Sequence, residues 1–316
     1  MNAAACVKVA MKPGEKIFLV RHYDLAATLT SGQAFRWQSH EDGWAGVIGK
    51  RWVHLRANND GMIAWTAAPV ADWEWLTHYL QIEKDLQVVL ASFPGDEAMR
   101  RAVEACNGLR LLRQEPWECL ASFILSSTKQ IVQIRQIITL LCERFGEPIE
   151  VPAGHSPAWS FPTAERLASV TEAELRDCKM GFRAPYLLAA ARSIASGNLS
   201  LEKLHSISLA EARAALVSLP GVGPKIADCV LLFAYDFPGA FPVDVWVMKA
   251  LRQLYFPRRN PSRRRLENFI ATYFGAHAGY AQQYLFHYMR VHRKEPKPKK
   301  SSRRAKRNDL KKPRRA

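Results

Sequence analysis

Leu219-Pro220-Gly221-Val222-Gly223-Pro224-Lys225 breaks a helical stretch in two and decides how the chain folds around it. Upstream, Leu209, Ala212, Leu216 and Leu219 recur at helical spacing; downstream, Ile226, Cys229, Val230 and Phe233 do the same. The glycines allow positive φ in a tight reversal, Val222 can plug the gap between the helices, and Pro224 suits a first helical turn. The second helix then presents free backbone N–H groups and its positive dipole end outward, an arrangement that binds phosphate without base contacts.

Pro-Gly also joins ordinary helix pairs, and Lys225 is what sharpens the reading. It stands in a first turn, where the helix dipole disfavours a cation, so helix stability alone does not select it. A lysine at a semi-buried helix start sheds its proton more easily, and the neutral amine is a nucleophile. Nineteen residues on, Phe241-Pro242-Val243-Asp244-Val245-Trp246 sets a carboxylate between apolar neighbours at another helix start. Asp244 can cap that helix, or face Lys225 and a developing positive charge.

Outward from the hairpin, 96–106, 116–126, 129–145, 163–169, 171–178, 183–197, 208–219, 224–235, 244–256, 263–274 and 279–290 read as helices, with 146–162 an ordered surface loop. The first hundred residues differ. Trp44–Ile48, Trp52–Arg56 and Met62–Thr66 are short β-rich runs, the last two separated by the turn Asn58-Asn59-Asp60-Gly61, and they suggest an antiparallel sheet. Val70, Trp73, Leu76 and Leu80 follow at helical spacing. The expected organisation is a β-sheet-containing domain over 1–105, an all-α domain over 106–292 and a disordered basic tail over 293–316.

The tail holds thirteen Lys/Arg against Glu295 and Asp309, so it supplies +11 of a formal +16. An arm of that charge prolongs contact with polyanions. In the 316-residue chain 48% of residues are hydrophobic, enough for substantial cores, which excludes a wholly disordered chain. No run approaches the ~20 apolar residues of a membrane span, and Lys8, Lys12, Glu15 and Lys16 break up the start, so neither a membrane partner nor a signal peptide is expected. Cys6, Cys106, Cys119, Cys142, Cys178 and Cys229 are scattered without a C-x-x-C pair, so no metal site and no cofactor is expected.

Taken together, the Leu219–Lys225 hairpin, the following Ile226-Ala227-Asp228-Cys229 and the Pro242-Val243-Asp244 element resemble the helix-hairpin-helix, Gly-Pro-Asp (HhH-GPD) superfamily of base-excision DNA glycosylases. Four further stretches resemble its 8-oxoguanine DNA glycosylase branch: Thr30–Trp37, Leu109–Pro116, Gly181–Tyr186 and Ala281–Phe286. The likeness spans roughly residues 20–290. It implies an α+β fold, with a TATA-binding-protein-like antiparallel sheet ahead of the all-α glycosylase domain. It also implies a monomeric bifunctional enzyme acting on duplex DNA that contains oxidised guanine or abasic sites, in the nucleoid of a bacterium or the nucleus of a eukaryote.

The resemblance implies roles by position. Lys225 would attack C1′ of the lesion sugar, Asp244 would steady the charge that forms there, and Gly221, Val222 and Gly223 would hold the DNA backbone. Gly32 would accept from the N7–H that oxidised guanine carries, Gln282 would bond the Watson–Crick edge, Phe286 would stack on the base, and Cys229 would lie against the Lys225 amine or fill the core. Phe182 would wedge into the duplex where a tyrosine is usual, and Arg183 would face the orphaned base. The chain departs from the branch at Thr128 and Lys129, where two asparagines are usual, at Gln133 for an arginine, and at Trp246 for a histidine. Reading of the opposite base is what those changes put in question. An alkylpurine glycosylase lacks the lysine, an endonuclease-III-like enzyme carries four clustered cysteines after the hairpin domain, and a non-catalytic hairpin module needs neither Lys225 nor Asp244.

Overall fold

The computed structural model describes residues 14–127, 130–257 and 261–291, with Arg263 lacking a described side chain. A five-stranded antiparallel sheet comprises β1 (Glu15–Leu19), β2 (Gln38–His40), β3 (Gly43–Ile48), β4 (Arg51–Asn58) and β5 (Gly61–Thr66), in the order β1-β5-β4-β3-β2. Ile48 pairs with Arg51 and Asn58 with Gly61, so two tight hairpins stand where the sequence placed turns. Along β5, Met62, Ala64 and Thr66 alternate inward. They meet Phe18, Leu29, Trp37, Val53, Leu55, Leu76 and Leu80 in a small core, where the Trp37 indole donates to the Tyr79 hydroxyl at 2.9 Å.

The helices are α1 (Leu25–Thr30), α2 (Glu74–Leu80), α3 (Leu86–Ala91), α4 (Glu97–Ala105), α5 (Pro116–Leu125), α6 (Ile131–Phe145), α7 (Ala164–Ala168), α8 (Glu172–Leu175), α9 (Ala184–Ala195), α10 (Leu209–Val217), α11 (Pro224–Tyr235), α12 (Val245–Ala250), α13 (Arg263–Tyr273) and α14 (Ala278–Val291). None of the described helices is long and apolar enough to cross a membrane. α11 is the hub: every residue from Ile226 to Tyr235 is buried, which is why its sequence is apolar on all sides rather than striped.

Three segments differ from their sequence reading. The helix expected over 171–178 stops at Leu175 and opens into a wide turn over Arg176–Met180, with Lys179 left-handed at φ 61°. The helix expected over 244–256 likewise loosens over Leu251–Tyr255. The expected loop 146–162 carries a short ladder, β6 (Pro148–Ile149) against β7 (Ala158–Trp159). Packing does not follow one cut in the sequence either: Ala27, Phe35, Leu86, Val89 and Met99 join the large helical core, while Leu112 joins the core of the sheet.

Candidate active site

The hairpin forms as its sequence dictates. Ser208 and Glu211 cap α10 reciprocally, the Ser208 hydroxyl accepting from the Glu211 N–H at 3.3 Å and the Glu211 carboxylate from the Ser208 N–H at 2.9 Å. After α10 the Val222 N–H closes on the Leu219 carbonyl at 3.1 Å, and Val222, 5% exposed, plugs the turn. Burying such a side chain is worth ~1.5–3 kcal/mol. Gly221 takes φ +79°, and a β-carbon there would run into the Tyr186 ring, so both backbone and neighbour require glycine. Gly223 caps α11 without a side chain to occupy its first-turn N–H groups. The two helices are locked by Arg213, whose Nε donates to the buried Asp228 carboxylate at 2.6 Å. Burial pushes the Asp228 carboxyl up, and Arg213 opposes it.

Beneath the hairpin, Lys225, Cys229, Asp244, Gly32, Gln282, Phe286, Gln283, Phe123, Phe233 and Pro242 line one cavity of about 50 Å³. Residues separated by up to 254 positions are thus brought together, among them every residue assigned above to the chemistry or to the damaged base. A wider crevice of about 990 Å³, around Glu115–Glu118 and Ser200–His205, shares none of them.

Lys225 Nζ lies 5.3 Å from the Phe123 ring centre, one turn before Cys229. The Cys229 thiol is pushed up to about 11 by burial, although the adjacent Lys225 pulls it down. It is therefore a protonated core group in contact with the amine rather than a competing nucleophile. Asp244 Oδ1 accepts from the Trp246 and Val247 N–H groups at 2.9 and 2.8 Å, capping α12 and leaving Oδ2 outside these bonds. Burial raises its carboxyl above the usual range, against the pull of the Val247 N–H, Lys225, the Trp246 N–H and Arg290. Asp244 therefore caps a helix while sharing a cavity with Lys225.

The base side of the cavity is held by amides. Gly32 has φ +83°, and a β-carbon there would meet Arg290, Ile131 and Phe286 at 3.3–3.5 Å. Its loop is tied down by Gln283, donating to the Ser31 carbonyl at 3.1 Å, and by Gln33, which donates to the Arg110 carbonyl and accepts from the Leu112 N–H, both at 2.8 Å. Gln114 donates from its side-chain amide to the Gln33 carbonyl and from its backbone N–H to the Phe233 carbonyl of α11, both at 2.8 Å. These ties explain why Thr30–Trp37 and Leu109–Pro116 carry motifs together. Gln282 is 3% exposed, and its Oε1 has no hydrogen-bond partner among the described residues.

On the outer face, Phe182 is 54% exposed ahead of α9 and meets Tyr186 edge-on at 6.4 Å. Tyr186 in turn backs Gly221, so the projecting ring is braced by the hairpin. Arg183 is 2% exposed, its guanidinium 4.2 Å over the Phe182 ring. Stacking and burial of the stem hold it against the Phe182 ring. Gln133 is exposed and accepts from the Gln130 N–H at 3.1 Å, an N-terminal cap for α6. Thr128 and Lys129 lie outside the described residues, as do Cys6 and the basic tail. Gln283, Phe123 and Arg290 line or border the cavity without having been singled out from sequence; the only signal for Arg290 is its i+4 spacing from Phe286, itself i+4 from Gln282.

A valine-plugged hairpin over a lysine and a capping aspartate defines a protein of the helix-hairpin-helix class. The model of the HhH-GPD superfamily of base excision DNA repair proteins matches residues 121–274, and that of the 8-oxoguanine DNA glycosylase N-terminal domain matches residues 17–120. The N-glycosylase/DNA lyase OGG1 of Arabidopsis thaliana is 31% identical over 288 residues, covering 84% of this chain and 77% of its own. A structure of MBOgg1 in complex with a low-affinity DNA ligand superposes with TM-score 0.84 at 34% identity, over 89% of this chain and 97% of that one. The Clostridium acetobutylicum 8-oxoguanine glycosylase/lyase, in complex with DNA holding cytosine opposite 8-oxoG, does so with TM-score 0.80 at 31% identity, over 85% and 92%. The chain belongs to the 8-oxoguanine N-glycosylase/DNA lyase family.

Proposed function

We propose that this protein excises oxidised purines, chiefly 8-oxoguanine, from duplex DNA and then nicks the strand as an AP lyase, with Lys225 as nucleophile. The observation that carries the reading is one cavity shared by Lys225, Asp244, Gly32, Gln282 and Phe286. The backbone of the Gly221–Val222–Gly223 turn, through the N–H groups of Gly221 and Gly223, grips phosphate while the lesion nucleotide leaves the stack, with Phe182 filling in behind it. Phe286 stacks on the base, Gln282 Oε1 accepts from its Watson–Crick edge, and the Gly32 carbonyl accepts from N7–H, which guanine lacks. The Lys225 amine forms a bond to C1′ as the C1′–N9 bond breaks, and the base departs with a proton on nitrogen. Asp244 stabilises the positive character at the sugar. Ring opening gives the Schiff base, loss of a C2′ proton breaks the C3′–O bond, and the strand is nicked.

Single-turnover excision from duplexes bearing 8-oxoguanine, 3-methyladenine or undamaged guanine, each opposite C, A, G and T, tests this. Release of 8-oxoguanine is expected, with rates opposite the four bases within roughly tenfold of each other, because Gln133 is engaged in a helix cap and Arg183 is stacked away. One mispaired contact is worth about 1–3 kcal/mol, so strict cytosine dependence would contradict the opposite-base reading. Preferential release of 3-methyladenine would overturn the substrate assignment.

A further inference from the structure

Beside the cavity stand two guanidiniums that the chemistry above does not use. Arg290, near the end of α14, packs over the Phe286 ring at 5.3 Å and reaches the Thr30 carbonyl only at 3.4 Å. Ile131, at the start of α6, and Arg290 approach the same point on Gly32, each at 3.3 Å from where a β-carbon would sit. Arg135 is one turn beyond Ile131 on α6, so it rises on the side of that helix that faces α14. Its Nε is buried and has no hydrogen-bond partner, and neither arginine has a carboxylate within 4.0 Å among the described residues. Burial lowers both guanidiniums, and Arg135 adds to the lowering of Arg290.

With Lys225 these make three cationic side chains around a cavity whose lining holds a single carboxylate, Asp244. Asp244 acts on Arg290 from beyond salt-bridge distance, and half-buried guanidiniums with empty donors and no carboxylate in contact are an expense to the fold unless a ligand completes them. A planar fork of donors matches a phosphate better than any neutral base edge. We propose that Arg135 and Arg290 form a clamp for a target-strand phosphate flanking the flipped nucleotide, closing the mouth of the pocket behind it. The proposal rests on the glycosylase reading and adds to it a binding site outside the hairpin.

The test pairs protein and DNA changes. Full-length wild-type protein and the R135Q/R290Q variant are titrated with a duplex carrying a tetrahydrofuran abasic site, in which each phosphate flanking that site is replaced in turn by a neutral methylphosphonate. One replacement should weaken wild-type binding about tenfold and leave R135Q/R290Q unchanged, while R135K/R290K recovers part of the loss. The slope of log affinity against log salt should fall by about 0.9 for each contact removed. Equal responses of both proteins at both positions would overturn the clamp. So would an unchanged salt slope with only a slower excision rate, which would leave Arg290 as a support for Phe286. If the double variant does not fold, the single variants R135Q and R290Q run the same cycle. Wild-type release of 8-oxoguanine is measured separately, so failure of the clamp and failure of the enzymatic reading are distinguishable.

Discussion

Asp244 shows how much one side chain is asked to do. It caps α12 through Oδ1 and stands in the cavity with Lys225. Burial raises its carboxyl, so the fold favours the protonated form, and the ionised group weakens the fold increasingly as pH climbs from the ordinary carboxylate pKa through the raised one. At neutral pH that penalty is fully present. Asparagine caps a helix about as well as aspartate, so Asp244→Asn is expected to raise Tm in calorimetry while abolishing excision. A variant with lowered Tm, or one that still excises at near wild-type rate, would contradict the double role. Lys225, Asp244, Gln282, Phe286 and Gly32 are legible in sequence because each sits in a contiguous motif. Arg135 and Arg290 are not, because their significance comes from the approach of α6 and α14 to the Gly32 loop, which no local pattern encodes; Gln283 lies in the Ala281–Phe286 stretch, but its tie to Ser31 is long-range.

At the scale of elements, the hairpin and central strands follow from period and turn chemistry, and the exceptions have physical reasons. β1 buries only Phe18 and β2 is the three polar residues Gln38–His40, so neither presents an alternating face to read. α1 and α3 are six residues each, too short for a periodic stripe, and are held by caps from Asp24 and Asp85. The apolar spacing through 171–178 continues across the turn at Lys179, so the sequence shows no break there. The outer face of the sheet offers a test of its own. His54 is buried, stacked on Trp65 at 3.8 Å, with His40 and His155 alongside and its Nδ1 without a hydrogen bond. Burial lowers its pKa, the His40 carbonyl opposing, so the folded state binds fewer protons than the unfolded chain. Stability should therefore fall as pH drops below about 6.5, the ordinary histidine value. Urea unfolding of wild type and His54→Phe between pH 7.5 and 5 checks this: the wild type should lose more on acidification. Parallel losses would place the pH dependence elsewhere.

For the whole molecule, charge and chemistry are separately housed. The tail over 293–316 carries +11 of the formal +16, while the cavity, hairpin and sheet belong to the rest of the chain. Grip on DNA by the body is then expected from helix ends, a glycine-rich turn and a few placed cations, with the charge of the tail expected to lengthen residence. Truncation after Val291 should weaken binding to undamaged duplex and flatten its salt dependence, yet leave single-turnover excision at saturation near the wild-type rate; a large fall in that rate would show the tail acting in catalysis. The proposed chemistry requires a covalent bond between Lys225 and the lesion sugar. Borohydride reduction during reaction with an 8-oxoguanine duplex should trap wild-type protein on DNA. Lys225→Gln should still bind the duplex but give no trapped complex and no released base. A trapped complex from Lys225→Gln, or none from a wild-type protein that excises the base, would contradict it.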